Sequence, residues 1–164
     1  ELKKRIDEGP ENKVYDIDLQ YYTSRGKWYH YSWKGDINKS GGIATNIGVH
    51  FFDMLIWIFG NVIENEVYEH GKSKASGFLR LQKAQVNWAL SVDYENIPEP
   101  IKATGGRTYR SLKIGEEEFE FSGGFTELHT KSYEDIFKGG GFRIAAAKKA
   151  INLVHQIRNK NPKK

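Results

Sequence analysis

The sequence predicts an α+β domain, a mostly antiparallel β-sheet with its helices gathered on one face. Three observations carry that prediction. Several segments alternate apolar and polar residues at the period of two that a half-buried strand requires. The connections between them are short, whereas parallel neighbours need long crossovers. Two long helical stretches, 43–59 and 142–159, are left to cover one side of the sheet.

The chain has 164 residues, enough for one domain (1–164) that buries about 70% of its unfolded surface. Residues 1–10, "ELKKRIDEGP", read as the tail of a linking helix: Lys3, Lys4 and Arg5 cluster at its end and Gly9-Pro10 stop it. A helix end without a beginning predicts a segment cut from a longer protein. In "KVYDIDLQYYT", Tyr15, Ile17, Leu19 and Tyr21 alternate with Asp16, Asp18 and Gln20, predicting a strand. After a Ser24-Arg25-Gly26 turn, "KWYHYSW" reads as a second strand. The helix 43–59 follows and ends at Gly60-Asn61. Strand signals then recur in "VIENEVYEH", "SGFLRLQ" and "AQVNWALSVDY". In the last of these, Val86, Trp88, Leu90, Val92 and Tyr94 oppose Gln85, Asn87, Ser91 and Asp93. Pro98 and Pro100 break the pattern, and "RTYRSLKI" and "EEFEF" resume it. A short helix near "LHTKSYEDIF", a glycine loop and the helix "FRIAAAKKAINLVHQIRN" close the chain, with a basic tail in 155–164. The sheet face away from the helices alternates polar and aromatic residues, so solvent or a second subunit would cover it.

Composition removes several function classes. The chain has no cysteine, so disulfides and thiolate metal sites are excluded. The formal charge is +4, much of it from "RNKNPKK", which reads as a solvated end. Nucleic-acid binding is disfavoured because acidic residues are spread along the same strands as the basic ones. No apolar run is expected to reach the ~18 residues of a membrane span, and no signal peptide opens the chain, so no membrane partner and a cytoplasmic location are expected.

The helix 43–59 carries the chemistry. At 3.6 residues per turn, Ala44, Phe51, Phe52, Leu55, Ile58 and Phe59 fall on one arc that must pack on the sheet. Asn46, His50, Asp53 and Trp57 fall on the opposite arc, which holds no Lys, Arg or Glu. A face left to bulk water would normally hold such charges, so a ligand or another domain is expected to cover this one. Ser40 reads as an N-cap, and Gly41-Gly42 as a turn leaving backbone N–H groups open to an anion. Arg25, Lys27 and Lys34 interleave with Tyr22, Trp28, Tyr29, Tyr31 and Trp33, a mixture suited to a phosphate plus a flat ring. The residues alone equally describe an aromatic strand pair with solvated cations. His50 is the residue suited to moving a proton near neutral pH, with Asp53 one turn on to charge-stabilise it. A lone histidine is more often structural, and that reading stays open on the residues alone. A metal site is disfavoured, because His30, His70, His129 and His155 show no ligand spacing.

The stretch "KSGGIATNIGVHFFDMLIWIFG" resembles the signature of the Gfo/Idh/MocA oxidoreductases: Gly41, Gly42, Asn46, Gly48, His50, Asp53, Trp57 and Gly60 match it, and "SWKGD" resembles the preceding strand end with Lys34 for Arg. More narrowly, "YYTSRGKWYHYSWKGD", Asn46 and "LHTKSYEDI" resemble the branch that oxidises UDP-N-acetylglucosaminuronic acid at C3. The resemblance implies an N-terminal Rossmann domain that binds NAD and a C-terminal α+β domain that completes the active site and oligomerises. Only the second is matched here. "ATGGRTY" and "KGGGFRI" are not dinucleotide fingerprints, and no Glu-Lys-Pro is present. By the resemblance, His50 is the base, and Asn46, replacing the more usual Asp, positions the sugar or its carboxylate. Arg25, Lys27 and Lys34 are candidates for the phosphate and uronate charges, with Tyr29 or Trp33 near the uracil and Asp53 beside the base. The implied partners are a UDP-sugar acid, the Rossmann domain and further copies of the chain, in bacterial-type surface-polysaccharide synthesis. The competing reading is a sugar-nucleotide-binding or oligomerisation module without catalysis.

Overall fold

The computed structural model describes residues 2–120 and 127–163. Its six strands form one sheet: β1 (Tyr15–Thr23), β2 (Val62–His70), β3 (Lys74–Leu81), β4 (Ala84–Ser91), β5 (Thr108–Ile114) and β6 (Glu117–Glu120). They lie in the order β2-β3-β4-β1-β5-β6, and every neighbouring pair is antiparallel except β1 and β4. That central parallel pair sets Tyr15 opposite Ala84 and Tyr22 opposite Ser91. The crossover joining them carries the whole helical signature segment and the β2–β3 hairpin, the length a parallel connection requires.

Alternation decides which face is covered. Tyr15, Ile17, Leu19 and Tyr21 of β1 are buried, beside Val86, Trp88 and Leu90 of β4 and Leu112 and Ile114 of β5. Over them lie α1 (Leu2–Asp7), α4 (Val49–Phe59) and α7 (Ile144–Asn159), which pack on one another. Phe52 of α4 meets Trp88 edge-on, ring centroids 5.3 Å apart and planes at 83°. Such a pair contributes about 0.5–1.5 kcal/mol beyond its burial. Ile6 is fully buried, so the N-terminal turns belong to the core; Arg5 then reaches Glu117 at 2.5 Å. On the uncovered face Asp16, Asp18, Gln85, Asn87 and Lys113 are exposed, and Glu118 accepts from Tyr109 Oη at 2.7 Å and Ser111 Oγ at 2.5 Å.

Several expectations are corrected. "KWYHYSW" is not a strand: residues Lys27–Tyr31 form α2 and Trp33–Gly35 a 3-10 turn. Gly26 enters with φ 67°, and the Ser32 side chain accepts from the Lys34 N–H. Only Tyr29 of α2 is buried, so the alternating aromatics do not mark a two-sided strand. Pro98 and Pro100 do not simply break the pattern; Pro100 sits in the first turn of α5 (Glu99–Ala103), where a missing N–H costs nothing. "LHTKSYEDIF" is α6 (Leu128–Phe137), as expected, and all ten of its residues are exposed. Phe121, the end of "EEFEF", lies outside the described residues.

The expectation about apolar length also needs correction. Ile37–Phe59 is long and apolar enough by length and composition to cross a membrane, yet 61% of its apolar 18-residue stretch is buried inside the domain. It is the core helical path, broken by a glycine turn. The basic tail is not simply solvated either. α7 runs to Asn159, then the Lys160 ammonium donates to the Asn65 carbonyl and the Lys163 N–H to the Val67 carbonyl at 2.8 Å. The Lys163 ammonium pairs with Glu66. The tail thus covers the outer edge of β2, one way to block edge-to-edge pairing.

Candidate active site

The site begins where the sheet hands over to the helical path. Asp36 Oδ1 accepts the Asn38 N–H at 3.0 Å and caps α3 (Ile37–Ser40). Gly41 and Gly42 then take φ of 78° and 80°, left-handed values that favour glycine. Ser40 is not the N-cap expected: it is the last residue of α3, and its Oγ accepts the Gly42 N–H at 3.1 Å. The Gly41 N–H donates to the Ile37 carbonyl at 3.0 Å. Both glycine N–H groups are therefore spent, and the anion seat expected there is not available. The path resumes through a π-helical turn, Ala44–Gly48, directly before α4. Such turns occur mostly as single bulges and frequently at functional sites.

The two arcs separate as predicted. Ala44, Phe51, Phe52, Leu55, Ile58 and Phe59 are all buried, while His50, Asp53 and Trp57 are exposed and Asn46 is half-buried. His50, Asp53 and Trp57 line a groove of about 550 Å³ together with Phe142, just before α7, and Ala146 and Lys149 within it. Neither His50 nor Asp53 has a hydrogen bond or ion pair among the described residues. An imidazole, a carboxylate one turn on and an ammonium across the groove are thus all free to act on a bound molecule. The α7 wall was missed in the sequence. Its signal was the small-residue run "IAAAKKA" after three glycines, which lets another surface come close.

Asn46 behaves differently. Its amide nitrogen donates to Tyr29 Oη at 3.3 Å, to the Lys34 carbonyl at 3.2 Å and to the Gly42 carbonyl at 3.1 Å. Asn46, Tyr29 and Lys34 close with Arg25, Trp28 and Ile47 on a hollow of about 30 Å³. Burial pushes the Tyr29 phenol above its ordinary range, partly offset by the bond from Asn46 and the nearby charge of Arg25. Tyr29 is only 2% exposed and its hydroxyl receives the Asn46 amide, whereas Trp33, the other aromatic considered for the uracil, is exposed. Lys27 and Trp33 are exposed and line neither cavity. Of the residues singled out in the sequence, the fold gathers Arg25, Tyr29, Lys34 and Asn46 at one spot and His50 and Asp53 at the next turn, and leaves Lys27 and Trp33 outside.

The chain matches the family model "Oxidoreductase family, C-terminal alpha/beta domain" over residues 3–96. Among solved structures it is similar to the WlbA (WbpB) dehydrogenase from Thermus thermophilus in complex with NAD and alpha-ketoglutarate, at 44% identity and a TM-score of 0.93. The same enzyme in complex with NAD and UDP-GlcNAcA gives 42% identity and a TM-score of 0.92. Each match covers 99% of this chain and 52% of the other, so the chain spans about half the length of these relatives. The WlbA dehydrogenase from Bordetella pertussis shares the fold at a TM-score of 0.68 and 17% identity, over 96% of this chain and 56% of that one. By its fold, its signature helix and the family model, the chain belongs to the Gfo/Idh/MocA oxidoreductase family as a C-terminal alpha/beta domain.

Proposed function

We propose that this chain is the substrate-binding half of an NAD-dependent sugar-nucleotide dehydrogenase. Its substrate would be the 3-hydroxyl of a UDP-sugar acid, UDP-N-acetylglucosaminuronate, in bacterial-type surface-polysaccharide synthesis. One observation carries the reading: His50 and Asp53 stand unpaired in a groove on the outward face of the core helix. The likeness to a dehydrogenase crystallised with NAD and UDP-GlcNAcA supports the choice of substrate class.

The groove fits one end of a dinucleotide. Exposed Trp57 and Phe142 offer flat apolar surface for a ring. The Gly41 and Gly42 N–H groups are consumed within the turn, so the phosphates of the dinucleotide would be held by another domain. When bound, NAD supplies a hydride acceptor. In this chain, an imidazole nitrogen of His50 takes the proton from the sugar hydroxyl as the C–H electron pair leaves, so that the alcohol carbon becomes a carbonyl. Asp53 stabilises the imidazolium so formed. Lys149 and Arg25 supply positive charge for the uronate and diphosphate, and Asn46 holds the Tyr29–Lys34 segment rather than acting as a base, since an amide cannot take the proton. The reading includes self-association through the open sheet face, where Tyr22, Phe78 and Tyr109 are half-buried, and a cytoplasmic location.

The test uses a protein that joins this chain to a Rossmann domain, assayed for UDP-N-acetylglucosaminuronate-dependent formation of NADH. His50→Ala is expected to lower turnover by ~100-fold or more with the fold intact. Normal turnover in that variant removes His50 from the role of base. Tight binding of the nucleotide sugar without NADH formation by the parent protein favours the binding-module reading.

A further inference from the structure

A second cleft opens on the far side of the Gly41-Gly42 turn. It holds about 450 Å³ and shares no lining residue with the His50 groove. That volume is in the range of small-molecule sites. Lys34, from the 3-10 turn, and Lys72, from the β2–β3 connection, both line it. Neither makes an ion pair among the described residues, and the Lys34 ammonium lies 5.9 Å from the Trp33 ring centroid.

His70, at the end of β2, lines the same cleft, and its Nε2 is buried without a partner. Gly42 closes against it; a Cβ on Gly42 would stand 2.9 Å from that nitrogen. Behind this wall Arg158 of α7 donates to the Asn38 carbonyl at 3.1 Å. Burial, helped by the charge of Arg158, pushes the His70 imidazolium below its ordinary range, so the ring is neutral at neutral pH. Asp36 is the one carboxylate in the lining, and its charge is engaged locally. Oδ1 accepts the Asn38 N–H, and Oδ2 lies 3.6 Å from the Lys39 ammonium.

Two lysines without ion-pair partners therefore line a cleft whose one lining carboxylate is already engaged. We propose that this cleft binds the oxyanion of a small metabolite, a phosphate or carboxylate group held between Lys34 and Lys72 above His70. The cleft shares no residue with the His50 groove, although Tyr29 and Lys34 also border the hollow beside Asn46, so Lys72 and His70 are what set it apart. Charge-assisted hydrogen bonds from two ammonium groups are the strong kind, worth roughly twice a neutral one. Tyr29, Lys34, Asp36 and Lys72 line the cleft with His70, the Glu69 carboxylate lies beside Gly71 of the same wall, and Arg158 of α7 acts on the ring from behind. Burial first, and the charge of Arg158 after it, tips the ring toward its neutral form. A bound anion reverses that balance, so the ring takes up a proton more readily when the site is filled.

The experiment is an NMR titration of the chain with pyrophosphate and, separately, with citrate, following the His70 ring resonances. Saturable binding is expected to raise the midpoint of the His70 titration, and Lys72→Gln, at an exposed turn, to weaken binding roughly tenfold. A pyrophosphate response without a citrate response assigns the ligand as a phosphate, and the reverse as a carboxylate. Three outcomes overturn the proposal: no saturable shift at His70 with either anion, shifts spread evenly over surface lysines, or Lys72→Gln binding as tightly as the parent.

Discussion

Asn46 and His50 stand one helical turn apart on the same face of one helical path, and the fold treats them in opposite ways. Around Asn46 the polar capacity is consumed by the protein itself, with donations to Tyr29, Lys34 and Gly42. Around His50 it is held back: imidazole and carboxylate face a groove and bind no described residue. The difference follows from what lies opposite. The segment Arg25–Gly35 has no strand to pair with, so a side chain must satisfy its loose carbonyls; the groove wall contributed by α7 is two alanines and Lys149, and none of them bonds to His50. A polar stripe on a buried helix thus divides into a part that builds the pocket and a part reserved for what enters it.

The largest expected effect breaks what both halves share, the inward arc. Phe52 is fully buried and meets Trp88 edge-on, so Phe52→Ala should cost about 3–5 kcal/mol in denaturant unfolding of the chain. A loss below about 1 kcal/mol would mean that α4 does not pack on β4 as described.

The next effect separates the halves directly. Asn46→Asp swaps an amide donor for a carboxylate that cannot donate, leaving the carbonyls of Lys34 and Gly42 without their partner. It should destabilise the chain by about 0.5–1.5 kcal/mol, the net worth of a hydrogen bond lost at a half-buried position. His50→Ala removes an exposed side chain with no described partner and should stay within about 0.5 kcal/mol of the parent. Equal losses from the two substitutions would erase the distinction between them.

The two halves were also unequally legible in the sequence. The arcs of the helix 43–59 could be read because 3.6-residue periodicity is local, and each inward residue named from it is buried. The strands followed from alternation for the same reason, β4 most clearly. What failed depends on groups distant in the chain or on single backbone angles. The aromatic run of α2 imitates a strand, and only the left-handed entry at Gly26 and the Ser32 cap turn it into a helix and a 3-10 turn. Ser40 has the composition of an N-cap but spends its oxygen on Gly42 within a turn. The opposite groove wall, Phe142 to Lys149, lies far along the chain, and periodicity reports only a helix's own faces, never its neighbour. His70 likewise showed no ligand spacing, because its neighbours in the cleft come from three separate elements.

The smallest effect reads the Asn46 side through a proton. Burial raises the Tyr29 phenol above its ordinary 10.0, while the bond from Asn46 and the charge of Arg25 act in the opposite sense. A raised folded value means that the native state holds its proton longer than the unfolded chain. Stability from this group is therefore complete below the ordinary value and is lost as pH rises through the folded one. Asn46→Ala removes the bond that favours the phenolate, so Tyr29 should titrate later still, and the alkaline loss of stability should deepen slightly. Tyr22 is also raised by burial, so the measurement belongs in a Tyr22→Phe background, following phenolate absorbance with and without Asn46→Ala. An unchanged or earlier Tyr29 titration would mean that Asn46 does not reach the phenol. The hollow at Arg25 would then lose the contact that ties it to the helix carrying His50.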